Sequence, residues 1–354
     1  MMFVPVLDFP IALQTLKPRV LILWISLISA LACKRPSTSD SSDRTDTGEM
    51  FLCAETPELP TLEDHWELSP VPSGGDFYQI AEAPSRPGWL YMASSMNGFY
   101  QSSDAGLNWN KIPMITTHMG GQIVIDPDNP DQVYISTGEI RKTVNGGEIW
   151  ESLAEALPLD DETKVRGLLL EDGTLWAADS QGGIWRSDDQ GSSFDNIGDL
   201  GFASPPPHIH GDATFGLNQG WIFLARGESR MYAVRHDNNL YTSDDDGVSW
   251  EILKYGAFTI TSLGTYEDEV WVGGSGGVQY SIDGGESFEY YDSGDAEVQG
   301  IVRKAQGDLI VATEDQLHSL GDGVLLPLIQ PAEATRLSHL LALQDGSLLV
   351  SDEN

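Results

Sequence analysis

Short runs that mix β-branched and aromatic residues recur along the chain. They read WLYMASS at 89–95, QVYISTG at 132–138, TLWAADS at 174–180, EVWVGGS at 269–275 and DLIVATE at 308–314. Gly, Asp or Asn bounds each run, the mark of a strand held between tight turns. A second short strand follows each, as in GFYQSSD and GIWRSDD, and leads straight into a polar turn. The pattern predicts repeated units of four antiparallel strands.

The polar turn is itself a repeat, of the form Ser-x-Asp-x-Gly-x-(Ser/Thr)-(Trp/Phe). It occurs as SSDAGLNW at 102–109, TVNGGEIW at 143–150, SDDQGSSF at 187–194, SDDDGVSW at 243–250 and SIDGGESF at 281–288. A worn sixth copy, SLGDG, stands at 319–323. The third positions of the six fall at intervals of 41, 44, 56, 38 and 38 residues, a mean of 43.4. Spacings near forty residues with strands between them are those of propeller blades.

The chemistry of the turn explains its residues. The side-chain oxygens of Asp104, Asn145, Asp189, Asp245 and Asp283 can accept backbone N–H groups of a tight turn. Gly106, Gly147, Gly191, Gly247 and Gly285 suit the left-handed backbone that such a turn needs. Trp109, Trp150, Phe194, Trp250 and Phe288 then enter the next strand and are expected to pack between units, each burying on the order of 200 Å². A Ca²⁺ loop would need a glutamate about eleven residues after its first Asp. The Ser243–Gly247 run has none there, so no metal site and no cofactor are expected.

From Trp66 to Asn354 there are 289 residues, or 6.7 repeats of the mean length. The chain ends in LSHLLALQDGSLLVSDEN, the first two strands of a further unit, while HWEL at 65–68 reads as a fourth strand and MFLCA at 50–54 as its third. An all-β, seven-bladed propeller over residues 50–354 is therefore expected, its last blade assembled from both ends of the chain. Such closure hides the sheet edges that invite aggregation.

The N-terminus changes the picture of location. Lys17 and Arg19 precede a thirteen-residue apolar run, Val20–Ala32, which is short for a membrane span of roughly 20 residues but fits a secretory leader. Ala30-Leu31-Ala32 supplies small residues for cleavage, and Cys33 follows at once. A cysteine at that place resembles the bacterial lipoprotein signal, which implies cleavage after residue 32 and a lipid on Cys33. Ordinary secretion, with Cys33 free to pair with Cys53, is the other reading. Residues 34–49 contain no large apolar side chain and read as a flexible tether. The formal charge of −35 argues against nucleic acid and anionic headgroups as ligands. Membrane contact is expected through the lipid alone, and the chain is expected to be a monomer.

The turns, their spacing and the phrase IVIDPDNPDQVYIST at 123–137 resemble the BNR/Asp-box propeller superfamily over roughly residues 65–354. Its members include sialidases, xyloglucanases, sortilin-type receptors and the photosystem II assembly factor. The resemblance implies a ligand site on the face opposite the turns, around the central channel. A long irregular insertion at 198–220 carries His208 and His210, and His118 lies near the start of its own unit. Aligning units on Gly173, Gly307 and Gly346 makes Arg166, Gly300 and His339 equivalent, so Arg166, His118 and His339 are candidates for one mouth. An envelope-anchored module binding a protein or glycan is expected. The alternative is a sialidase-like hydrolase, but the family's Arg-Ile-Pro phrase is absent, HWELSPVPSG standing in its place. Arginines that could grip a substrate carboxylate cannot be placed at matching positions, so no catalytic residue is assigned.

Overall fold

The computed structural model describes residues 19–24, 65–69, 77–94, 98–112, 122–201, 222–235, 237–254, 259–304, 307–321, 324–328 and 336–352. The fold is an all-β propeller. Strands β1 (Arg19–Trp24) and β2 (His65–Ser69) are followed by β3 (Phe77–Glu82), β4 (Leu90–Ser94), β5 (Gly98–Ser102) and β6 (Asn110–Lys111). Next come β7 (Ile123–Ile125), β8 (Val133–Ser136), β9 (Ile140–Thr143) and β10 (Glu151–Ser152), then β11 (Val165–Glu171), β12 (Thr174–Asp179), β13 (Gly183–Ser187) and β14 (Asp195–Asp199). A further four are β15 (Phe223–Arg226), β16 (Met231–Val234), β17 (Leu240–Ser243) and β18 (Glu251–Lys254). The series ends with β19 (Ile260–Tyr266), β20 (Glu269–Ser281), β21 (Glu289–Arg303), β22 (Leu309–Thr313), β23 (Leu317–Gly321), β24 (Val324–Pro327), β25 (Leu337–Ala342) and β26 (Leu348–Asp352).

Among the described residues these strands make five four-stranded blades and one six-stranded sheet, β19 to β24. The first strand of each unit faces inward: β3, β7, β11, β15, β19, the second half of β21, and β25 touch in succession, and β25 returns to β3. Second strands such as β4, β8 and β16 are wholly buried, whereas the outer β6 and β10 are exposed. That gradient is why the second-strand runs were the plainest hydrophobic signal. The cores lie between blades: Tyr91, Ala93 and Phe99 of one pack with Ile123, Val133 and Trp150 of the next. Burying side chains of this size stabilises by about 1.5–3 kcal/mol each.

The repeated turns join third strands to fourth. Ser102 Oγ accepts the Gly106 amide at 2.9 Å, while Asp104 takes the Asn108 amide at 2.8 Å and the Asn108 side-chain N–H at 2.7 Å. Asp189, Asp245 and Asp283 make the corresponding pairs with Ser193, Ser249 and Ser287. Asn145 accepts the Ile149 amide at 3.0 Å without a charge. Gly106 at φ 86° and Gly285 at φ 90° occupy the left-handed region, so a side chain there would be strained. In the worn copy β23 continues to Gly321, which pairs with Val324 and stands where the other copies carry the Asp or Asn that accepts the turn amides.

The closing blade has the order β2-β1-β26-β25. Leu21 of β1 stands opposite Leu68 on one side and Val350 on the other. Residues 50–54, expected as its third strand, lie outside the described residues, and Arg19–Trp24 holds that place instead. The run RVLILW has no Gly or Pro, so its pattern serves a strand as readily as a leader.

Candidate functional site

The ring has two chemically different ends. At one end the turns between first and second strands meet the polar turns: the Ala105 amide donates to Gly88 O at 2.9 Å, and Thr174 Oγ1 to Asp188 at 3.1 Å. At the other end the inner strands begin, and there the register is broken. β-Bulges fall between Phe77 and Gln79, Val165 and Gly167, Ile260 and Ser262, Val298 and Gly300, and Leu337 and Leu340. A bulge adds one residue to a strand and re-aims it, which is why bulges gather at the rims of closed sheets and beside sites.

The bulged residues therefore form a set: Tyr78, Arg166, Thr261, Gln299 and the Ser338–His339 pair. Arg166 lies in one bulge and His339 in another, where Ser338 and His339 together stand opposite Ser351. Gly300 pairs with Ala312 one step beyond its own bulge, and Gln299 is the counterpart of Arg166. Alignment on turn glycines counts residues and cannot see an inserted one. Burial pushes the Arg166 guanidinium below its usual range. The His339 amide donates to Ser351 Oγ at 2.9 Å, and the single Thr261 hydroxyl proton lies within hydrogen-bonding reach of two carbonyls, Gly273 O at 3.1 Å and Val298 O. His118, His208 and His210 lie outside the described residues.

A second set of turns, between second and third strands, frames the same end. Asp179, only 4 % exposed, accepts the Gln181 and Gly183 amides at 2.7 and 3.0 Å and the Trp185 indole N–H at 2.7 Å. Asp237 accepts the Asn239 amide at 3.1 Å and the Tyr241 hydroxyl at 2.6 Å, and pairs with Arg235. Sequence reasoning passed over these aspartates because DSQGGIW and HDNNLY differ too much to register as copies. Thr261 and Gln299 were missed for a different reason: neither type stands out until the bulge is seen.

The bulges bring a guanidinium, a hydroxyl, an amide and an imidazole to one end, which Asp179 and Asp237 also frame. Among the described residues Arg86, Arg141, Arg186, Arg226, Arg230, Arg235, Arg303 and Arg336 each sit against an acidic side chain. The arginine trio of a sialidase has no counterpart at these bulges. Among the described residues, too, no three His, Cys, Asp or Glu side chains gather as a metal site would require. A cleft of about 180 Å³ opens at the opposite end, lined by Glu171, Asp172, Thr174, Trp176, Arg186, Arg226 and Asp246. Its guanidiniums are committed, Arg226 to Glu171 at 2.9 Å and Asp246 at 2.7 Å, and Arg186 to Asp188 at 2.9 Å.

No family model matches the chain. A xyloglucanase of Paenibacillus sp. is 27 % identical over 188 residues, which is 50 % of this chain and 17 % of that enzyme. The chain thus spans well under a fifth of that relative. Among solved structures, YCF48 from Cyanidioschyzon merolae superimposes with a TM-score of 0.57 at 14 % identity, covering 79 % of this chain and 96 % of that one. YCF48 bound to a D1 peptide gives a TM-score of 0.55 at 14 % identity, over 81 % of this chain and 98 % of that one. The GH74 xyloglucanase of Xanthomonas campestris gives 0.56 at 18 % identity, over 74 % of this chain and 46 % of that enzyme. The class defined is the β-propeller.

Proposed function

We propose that the chain is an envelope-held binding module, a seven-bladed Asp-box propeller that grips a protein segment or glycan at its bulged end. One observation carries the reading: five inner strands bulge at matching positions and bring Arg166, Thr261, Gln299 and His339 to one rim. In the seven-blade reading the six-stranded sheet is two blades sharing β21. Its residues 289–292 pair with the 277–280 segment of β20 and its residues 298–303 with β22. The two YCF48 propellers, one of them holding a peptide, support a single ring as sufficient for binding. Export and lipidation of Cys33 rest on the leader pattern, and residues 34–49 would lift the head from the membrane.

The test is capture from an envelope extract by the detergent-solubilised full chain. Arg166→Ala and His339→Ala are expected to abolish capture of the same species while leaving the fold intact by circular dichroism. Undiminished capture by both variants would remove the bulged rim from the reading. A glycoside hydrolase remains the second reading, favoured by the Paenibacillus match. Release of reducing sugar from xyloglucan, or turnover of a fluorogenic sialoside, would establish it over the first.

A further inference from the structure

The second polar turn differs from the other intact copies at one position. Where they carry Asp104, Asp189, Asp245 and Asp283 it has Asn145, and Gly146 follows. An asparagine before a glycine is able to convert itself. The glycine nitrogen bonds to the side-chain carbon Cγ and gives its proton to the amide nitrogen, which leaves as ammonia. Water then opens the cyclic imide at either carbonyl, giving aspartate or isoaspartate. Glycine favours the step because it has no Cβ to block the approach of its nitrogen.

One half of this reaction is prepared by the fold. Asn145 Oδ1 accepts the Thr143 hydroxyl at 2.8 Å and the Ile149 amide at 3.0 Å. Two donors on an amide oxygen stabilise the oxyanion that attack at Cγ produces. Asn145 is half-buried, and its neighbours Val144 and Ile149 are 57 % and 70 % exposed, so water reaches the turn.

The other half is withheld. The Gly146 N–H donates at 2.9 Å to Asp131 O, in the turn between β7 and β8. The Gly146 carbonyl accepts the Gln101 side chain of β5 at 2.6 Å, so the peptide groups on both sides of Gly146 are held. Arg86 in turn bonds both oxygens of the Asp131 carboxylate, at 2.6 and 3.1 Å. Gly146 is buried, and a Cβ on it would meet Asp131 Oδ1 at 3.1 Å. Before its nitrogen can reach Cγ it must leave Asp131 O, which requires a local opening of the turn.

The fifth copy has the same backbone contacts with a carboxyl in place of the amide. The Gly284 N–H donates to Asp268 O at 2.8 Å, and its carbonyl accepts the Tyr232 hydroxyl at 3.1 Å. The Ser281 and Ser287 hydroxyls and the Ser287 amide hold Asp283 down to about 2. Near neutral pH it is a carboxylate, which offers a backbone nitrogen no leaving group. Asn145 is an amide at every pH and lacks that protection.

We propose that Asn145–Gly146 is a self-converting site, primed at the side-chain amide and kept silent by the Asp131 and Gln101 contacts on Gly146. Conversion then records the time this turn spends lifted from its partners. Aspartate keeps the turn, as four copies show. Isoaspartate adds a methylene to the main chain and disturbs the register that pairs Glu151 with Lys142.

Mass spectrometry on the full chain tests this, because the tryptic peptide of residues 143–164 contains one asparagine and no glutamine. The other Asn-Gly step, Asn97–Gly98, falls in a different peptide. At mildly alkaline pH the folded chain should keep its amide, while the chain unfolded in urea converts at least about tenfold faster. Gln101→Ala should raise the folded rate about tenfold, the effect of losing one hydrogen bond. Asp131→Ala, which releases Arg86, should act in the same direction. Trp176→Phe, which loosens a contact elsewhere in the ring, should leave the rate unchanged. If neither variant at the turn folds, the comparison of folded and unfolded unaltered chain decides alone. Equal conversion in those two states, no conversion in urea, or folded variants that convert no faster would overturn the proposal. The readout requires no ligand, so its failure is separate from any failure of the binding reading.

Discussion

Asp283 and Asp189 are held down to about 2, against an ordinary carboxylate value near 3.9, although both are open to solvent. For Asp283 the Ser281 and Ser287 hydroxyls act first and the Ser287 amide next. For Asp189 the Ser193 hydroxyl leads, followed by its amide. Each donates to the charged form and so favours it. A carboxyl whose folded value lies below its unfolded one adds stability that is present above about pH 4 and is lost as the pH falls toward 2. The unfolding midpoint in urea should therefore drop between pH 4 and pH 2, and an Asp189→Asn/Asp283→Asn chain should show a shallower drop. The protein already contains the control, since Asn145 makes the same turn without a charge. An equally steep drop in the double variant would show that these turns play no part in acid sensitivity.

At the scale of the element, the polar turns and second strands were legible because each repeats a residue type at a constant offset and buries it. The contacts between inner strands were not. Gln79 accepts the Ile123 amide at 2.6 Å and donates to Ile123 O at 3.3 Å, knitting β3 to β7. Gln122 reaches the Leu168 amide at 2.5 Å in β11. Among the described residues only Gln79 in β3 and Gln122 just ahead of β7 bridge inner strands in this way, so no periodicity announces them, and a glutamine beside a strand reads as an outward residue. Replacing Gln79 by Leu keeps the bulk but strands the amide of Ile123, a residue 2 % exposed. The expected loss is about 1–3 kcal/mol, measured by urea unfolding with an unchanged slope. The misplaced Gly300 belongs to the same scale: β21 ends at Arg303 opposite Leu309, a longer connection than that between Glu171 and Thr174, so counting back from the turn glycine stops one step short of the bulge.

For the whole molecule, what matters is how the circle is completed. β25 packs against β3 on one side and against β21 and β22 on the other, and β26 is hydrogen-bonded to β1, so the last sixteen described residues touch both ends of the chain. Closure by both termini was legible from the half-units left over at each end. Which apolar segment fills the third place was not, because strand and leader share one hydrophobic pattern. Cutting off residues 337–354 should replace the single thermal transition by a broad one. The place taken by β1 gives the sharper experiment. In a chain beginning at Cys33 that strand is gone, and the edges of β2 and β26 lose their partners. Amides of Leu348–Ser351 should then lose much of their protection from exchange relative to the full chain. Protection retained there would mean that another segment had taken the position, as an open edge favours any strand able to cover it.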